Sequence, residues 1–216
     1  MNETPPRTTA NLEALNSLGG SAGTLWTRIA PVLEHGTRRT IVFLGAEHGA
    51  GTSTVAACTA AGLARHLRAK VMLVELGAGR PGLAPLLGLP EGPGLADMLR
   101  EGVSARDCVC GSGLEGLDVV TAGRGVVPVG GLASDRALRV FEELGSGRDF
   151  VIIDAPPIQQ HTELHPILMH AREAVVVLNA ERTQRDTARG LLEIVGRAGL
   201  TMLGCVLNRA RRSPFD

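Results

Sequence analysis

The stretch Ala46-Glu47-His48-Gly49-Ala50-Gly51-Thr52-Ser53-Thr54 links the apolar run Thr40-Ile41-Val42-Phe43-Leu44-Gly45 to an alanine-rich segment that reads as a helix. An apolar strand, a glycine-rich turn and a helix in that order have the layout of a phosphate-binding P-loop. In such a loop backbone N–H groups wrap the phosphates, a lysine reaches the β and γ oxygens, and a Ser/Thr hydroxyl holds Mg²⁺. Gly49, Ala50, Gly51, Thr52, Ser53 and Thr54 are the candidate cradle, and Ser53 is the candidate metal hydroxyl. Thr52 stands where the lysine belongs, so the loop keeps its glycines and hydroxyl and lacks its cation.

Outward from the loop, the chain alternates between two kinds of segment. Apolar strands are expected near 40–45, 71–76, 117–121, 150–154, 173–179 and 201–207, with helices over 53–68, 95–100, 133–144, 163–170 and 183–198. Runs such as Phe150-Val151-Ile152-Ile153 and Ala174-Val175-Val176-Val177-Leu178 are apolar at every position, which implies burial on both faces. Strands of that kind alternating with helices imply a doubly wound, mainly parallel α/β sheet. A short helix is expected from Leu25 to Leu33, where Leu25, Ile29 and Leu33 recur at four-residue spacing. The expected organisation is an N-terminal extension over 1–36, one P-loop domain over 37–210 and a short tail over 211–216.

Composition sets bounds on function. The 216 residues are 44% hydrophobic with a formal net charge of zero, which gives no electrostatic case for nucleic acid or an anionic membrane as partner. No apolar run reaches the length of a membrane span. The first residues lack both the basic and the apolar region of a signal peptide, so the chain reads as cytoplasmic. Of the four cysteines only Cys108 and Cys110 are close, a poor zinc signal that reads as reduced thiols. There is no tyrosine, and the one lysine, Lys70, precedes a strand and so falls at the edge opposite to phosphate sites.

Three more groups fall at strand ends. Asp154 closes an apolar strand and suits the orientation of Mg²⁺ or its water shell, or else caps a neighbouring loop. Glu75 closes the strand of Met72-Leu73-Val74, as a second catalytic candidate or as a side chain turned to solvent. Asn208 ends the last strand with an amide suited to a purine edge. Ser53 and Thr54 have a second reading as helix caps.

The order and spacing of these pieces resemble the MinD/ParA-like P-loop ATPases and, within them, the bacterial tyrosine kinases of capsule and exopolysaccharide synthesis. The resemblance runs from about Thr40 to Asn208. It includes Glu75 to Pro81, Gly82 to Leu89, Gly94 to Leu99, Leu117 to Gly123, and the Asp-x-Pro-Pro of Asp154 to Pro157. It implies ATP and Mg²⁺ as ligands. It also implies the cytoplasmic end of a membrane polysaccharide co-polymerase as partner, and self-association through the nucleotide face as a homo-oligomer. The departures fall on the chemistry. Thr52 replaces the lysine, Gly77 takes the second carboxylate position of an Asp-x-Asp motif, Glu163 stands where aspartate is common, and the tail has no tyrosines.

Charge-assisted hydrogen bonds are worth about 1.5–3 kcal/mol, so losing the lysine weakens ground-state triphosphate binding by ~10–100-fold. Phosphoryl transfer suffers more, because charge stabilisation carries that reaction. The resulting expectation is a degenerate, pseudokinase-like P-loop protein with weak or no ATP hydrolysis and no tyrosine autophosphorylation, serving exopolysaccharide synthesis or export at the inner membrane through a partner. Two alternatives stand beside it. One is an active MinD/ParA-like ATPase whose substitute cation comes from an arginine, with Arg80, Arg124 and Arg209 as candidates, or from a partner chain, and the other a pilus or secretion localisation factor on the same scaffold.

Overall fold

The computed structural model describes residues 25–29, 39–77, 82–127, 130–157 and 162–210. Most of the expected extension, the end of its helix toward Leu33, Arg80, Pro81, the side chain of Glu163 and the tail over 211–216 lie outside the described residues.

Seven strands form one sheet: β1 Arg39–Gly45, β2 Val71–Glu75, β3 Val109–Gly111, β4 Leu117–Val120, β5 Phe150–Ala155, β6 Glu173–Asn179 and β7 Thr201–Asn208. Their spatial order is β3-β4-β2-β5-β1-β6-β7, and every pair is parallel except β3 with β4. From the interior strand β1 the chain first builds outward through β2 and β4, then returns to fill β5 beside β1 and continues to β6 and β7 on the other side. The order of strands therefore reverses at β1, and ligands of open α/β sheets lie at the carboxyl ends of strands flanking such a point.

Helices cover both faces, as the all-apolar strands require. Side chains alternate along a strand, so Ile41, Phe43, Leu73 and Ile152 pack on one face against α2, Thr52–Leu67, and α3, Leu83–Leu87. Val42, Leu44, Val74 and Ile153 pack on the other, against α4, Leu95–Glu101, α6, Asp135–Gly145, and α7, Arg185–Arg197. The short α5, Ala105–Cys108, leads directly into β3.

The sequence expectation departs from the structure in identifiable places. Residues 162–170 form a 3-10 helix, not an α-helix, and Pro166 lies inside it, where a missing N–H and a bulky ring break an α-helical ladder. The helix expected from 133 begins at Asp135, because Ser134 caps it by accepting from the Ala137 N–H at 3.2 Å. β7 is as apolar in sequence as β6 but lies at the sheet edge, where Met202 and Leu207 stay exposed.

The first helix, α1 Leu25–Ile29, docks on α2. The Trp26 ring stacks on His66 with centroids 4.5 Å apart, and a Cβ on Gly62 would drive into the indole. Gly62→Ala is therefore expected to lift α1 from α2. The chain has a single tryptophan, so the displacement reads directly as a red shift of its emission, with the far-UV circular dichroism of the domain kept. Emission identical to wild type would show that the close approach at Gly62 does not hold α1 in place.

Candidate functional site

The P-loop follows β1 and is shaped by two glycines in the left-handed region, Gly49 at φ 80° and Gly51 at φ 93°. Such angles strain any residue with a Cβ. At Gly51 a Cβ would also strike Asn208 Nδ2. Gly51 is the N-cap of α2, and no side chain caps that helix. The capping alternative for Ser53 and Thr54 is thus corrected: both line the cleft over the loop instead. A helix N-terminus opening onto a cleft, without a side-chain cap, is an anion-receptive arrangement.

The cleft has a volume of about 360 Å³ and brings together Gly49, Gly51, Thr52, Ser53 and Thr54 with Glu75, Asp154 and Arg209. Ala50 is buried, and its carbonyl points to β7. Thr52 lines the cleft but brings no positive charge to it. Its Oγ1 lies against Gly45, where any added Cβ would collide with it.

Asp154 and Glu75 are register partners on β5 and β2, so their side chains share a face. Asp154 is 5% exposed. Burial pushes its carboxyl up to about 7, the Ser53 hydroxyl bonded to it pulls in the opposite direction, and the neighbouring Glu75 charge raises it further. Glu75 is not turned to solvent, which corrects that alternative: it is 3% exposed. Its Oε1 accepts from the N–H groups of Gly82 at 2.6 Å and Leu83 at 3.0 Å, and its Oε2 accepts from Ala122 N–H at 3.0 Å. One carboxylate thus ties the start of α3 and the loop after β4 to the end of β2.

Gly77 has φ 53°, and a Cβ there would collide with Ala122. A second acidic residue at this position conflicts with the backbone path, so its absence is built into the fold. Asn208 is placed at the cradle, but on the loop backbone: Nδ2 donates to the Ala50 carbonyl at 2.8 Å, and Oδ1 accepts from Arg209 N–H at 2.9 Å.

A second brace has no counterpart in the sequence reading. Thr183 Oγ1 donates to Glu47 Oε1 at 2.7 Å and accepts from Asn179 N–H at 2.8 Å, fastening the P-loop to the end of β6. Its only sequence signal is a carboxylate inside the loop, and the partner lies 136 residues away.

The other candidates sort by position. Arg124 lines an adjoining cleft of about 490 Å³ with Glu91 and Thr121, which meets the first at Glu75, and its N–H is held by Asp97. At the opposite end of the strands the Lys70 N–H donates to the Asp149 carboxylate and the Lys70 carbonyl accepts from the Asp149 N–H, so no lysine substitutes in the cleft. None of the four cysteines is in a disulfide, and burial pushes the Cys58 and Cys108 thiols up to about 11. Among the described residues no group of three or more His, Cys, Asp or Glu is arranged to hold a metal ion, and no helix is long and apolar enough to cross a membrane.

A parallel sheet whose strand order reverses at β1, a P-loop leaving that strand and an aspartate ending the adjacent β5 define a P-loop NTPase fold of the MinD/ParA type. No family model matches the chain. CapB of Staphylococcus aureus, which bears the name of a tyrosine-protein kinase, is 27% identical over 141 residues, covering 65% of this chain and 62% of CapB. The crystal structure of the chimerical protein CapA2B2 superposes with a TM-score of 0.79 at 26% identity, over 88% of this chain and 84% of that one. The septum site-determining protein MinD of Pyrococcus horikoshii, solved with Mg-ADP, superposes with a TM-score of 0.68 at 25% identity, over 83% and 74%. Several relatives of this chain are named as bacterial tyrosine-protein kinases, and its fold is that of the MinD/ParA-like P-loop proteins. The aligned stretch covers less than two thirds of CapB.

Proposed function

We propose that this chain is a kinase-like P-loop protein that retains the phosphate cradle and has lost phosphoryl transfer, serving the synthesis or export of a capsular or extracellular polysaccharide. The observation that carries the reading is Thr52. The loop around it keeps the two left-handed glycines and an uncapped helix start, while the residue itself packs on Gly45 and presents no cation. The rest of the site points the same way. Glu75 is occupied by three backbone N–H groups, Gly77 excludes a second carboxylate, and the chain has no tyrosine to modify.

The residues present fit a nucleotide better than they fit its metal. Backbone groups of the loop and the start of α2 would hold phosphates. Ser53 and Asp154 would face Mg²⁺, whose role is to neutralise and align the phosphates, but Asp154 must first release the proton that its burial favours. In this reading residues 37–210 form the working domain, 1–36 an extension and 211–216 a tail. The partner is the cytoplasmic end of a membrane polysaccharide co-polymerase, which keeps the protein peripheral at the inner membrane, and copies associate through the nucleotide face. The relationship to CapB and to the CapA2B2 chimera supports this assignment.

Calorimetric titration with Mg-ATP tests it on wild type and Thr52→Lys. Wild type is expected to bind weakly with no measurable turnover, and Thr52→Lys to bind ~10–100-fold tighter, the worth of one charge-assisted contact. Micromolar binding with steady hydrolysis by wild type would instead establish an active ATPase.

A further inference from the structure

The sequence leaves three arginines as substitutes for the missing lysine, and the structure separates them. Arg124 lines the other cleft, Arg80 lies outside the described residues, and Arg209 lines the cleft over the P-loop. We propose that Arg209 is the phosphate-recognising cation of this site, so that a nucleoside phosphate is gripped from the end of β7 and not from within the loop. This inference rests on the cradle reading above and names the group that gives the cradle its remaining affinity.

Three observations carry it. First, among the described residues lining the cleft, Arg209 is the only arginine and there is no lysine. Second, its backbone is fixed to the loop through one residue: Asn208 bonds the Ala50 carbonyl with Nδ2 and the Arg209 N–H with Oδ1. The guanidinium therefore hangs from a main chain that cannot shift without the P-loop. Third, Arg209 holds φ at 58°, one of two non-glycine residues in the left-handed region among those described. Arg209 directly follows the last residue of β7 and lines the cleft.

Among the described residues no carboxylate is ion-paired with the Arg209 guanidinium. Glu47 is bonded to Thr183, Glu75 to three N–H groups, and Asp154 to Ser53 beneath the loop. A planar guanidinium presents several donors in a fixed fork that matches phosphate oxygens.

Calorimetric titrations with sodium pyrophosphate and with Mg-ADP test the assignment on wild type, Arg209→Gly, Arg209→Lys, Arg124→Gln and Thr52→Lys. Glycine suits φ 58° better than arginine does, so Arg209→Gly removes the cation while easing the backbone, and its melting temperature is expected to hold or rise. Binding of both probes is expected to weaken about tenfold or more in Arg209→Gly, as for loss of a charge-assisted contact. It should stay within about threefold of wild type in Arg209→Lys, which keeps the charge, and be unchanged in Arg124→Gln.

Wild-type affinity for pyrophosphate in Arg209→Gly, or an equal loss in Arg124→Gln, overturns the assignment. Loss confined to Mg-ADP overturns it too, because the arginine would then read the nucleoside. If wild type binds neither probe, Arg209 confers no affinity and the inference falls. Recovery in Thr52→Lys then leaves the cradle reading standing, whereas failure to recover removes both.

Discussion

Asp154→Asn is expected to raise the melting temperature at pH 8 by roughly 5–10 °C and to flatten the pH dependence of stability between about pH 4 and pH 7. In the folded chain the Asp154 carboxyl is pushed up to about 7 from an ordinary value of 3.8. Between those values the native state holds a proton that the unfolded chain has released, so stability falls as pH rises through this window and levels off above it. The span corresponds to about 4 kcal/mol as an upper bound. An amide is uncharged at every pH and removes that penalty, at the expense of the charge-assisted bond from Ser53, so the net gain is smaller, roughly 2–3 kcal/mol. For a chain of this size each kcal/mol moves the midpoint by about 2–4 °C. Thermal melts of both proteins from pH 4 to pH 8 decide the matter. Parallel curves across the range would show that Asp154 ionises normally and that its burial carries no penalty.

This behaviour bears on function. A buried carboxyl that is half protonated near neutrality is a poor resident ligand for Mg²⁺, because binding has to displace a proton. In a working phosphoryl-transfer site the lysine and the metal together neutralise the triphosphate. Here one is replaced by Thr52, and the other meets an aspartate held near its neutral form.

How much of this was legible in the sequence depends on the range of the interaction. β5 and β6 were readable because Phe150 to Ile153 and Ala174 to Leu178 are apolar at every position, and the P-loop because its glycines sit between a strand and a helix. β3 spans three residues, too few for any period, and α3 hides behind the glycines and prolines that flank it. The exposure of β7 at the edge is invisible locally, because its composition matches that of a central strand. At the site the residue types were legible but their engagements were not. Glu75 could be read as a strand-end carboxylate, whereas its bond to Ala122, 47 residues on, follows only from the sheet order that places β4 beside β2. Gly77 was legible as a lost carboxylate. That its backbone angle and Ala122 forbid one is a property of the folded loop.

Glu75→Ala is expected to be among the most destabilising single changes at the site, at roughly 3–5 kcal/mol. Its carboxylate accepts from three N–H groups, of which that of Leu83 is buried and those of Gly82 and Ala122 are partly buried. A buried donor left without an acceptor costs about 1–3 kcal/mol, and water can reach the two partly buried ones, which keeps the sum below the maximum. The loss also frees the start of α3, whose Leu83 and Leu87 are fully buried against the sheet. Glu75→Gln should cost less, about 1–2 kcal/mol, since an amide oxygen can still serve Gly82 and Leu83 while its NH₂ opposes the Ala122 donor. The two variants also part in their pH dependence from a simple loss of contacts. Removing the Glu75 charge lowers the Asp154 carboxyl from its raised position, so Glu75→Gln loses less stability at pH 8, where Asp154 is charged, than at pH 5. By the same coupling, Glu75→Gln and Asp154→Asn together should not add, because each relieves one side of a single repulsion. Urea unfolding at both pH values measures wild type and the four variants. Strict additivity, or a Glu75→Ala effect within about 0.5 kcal/mol of wild type, the level of an ordinary surface substitution, would dissolve the view that one buried carboxylate has been turned from chemistry to holding the site closed.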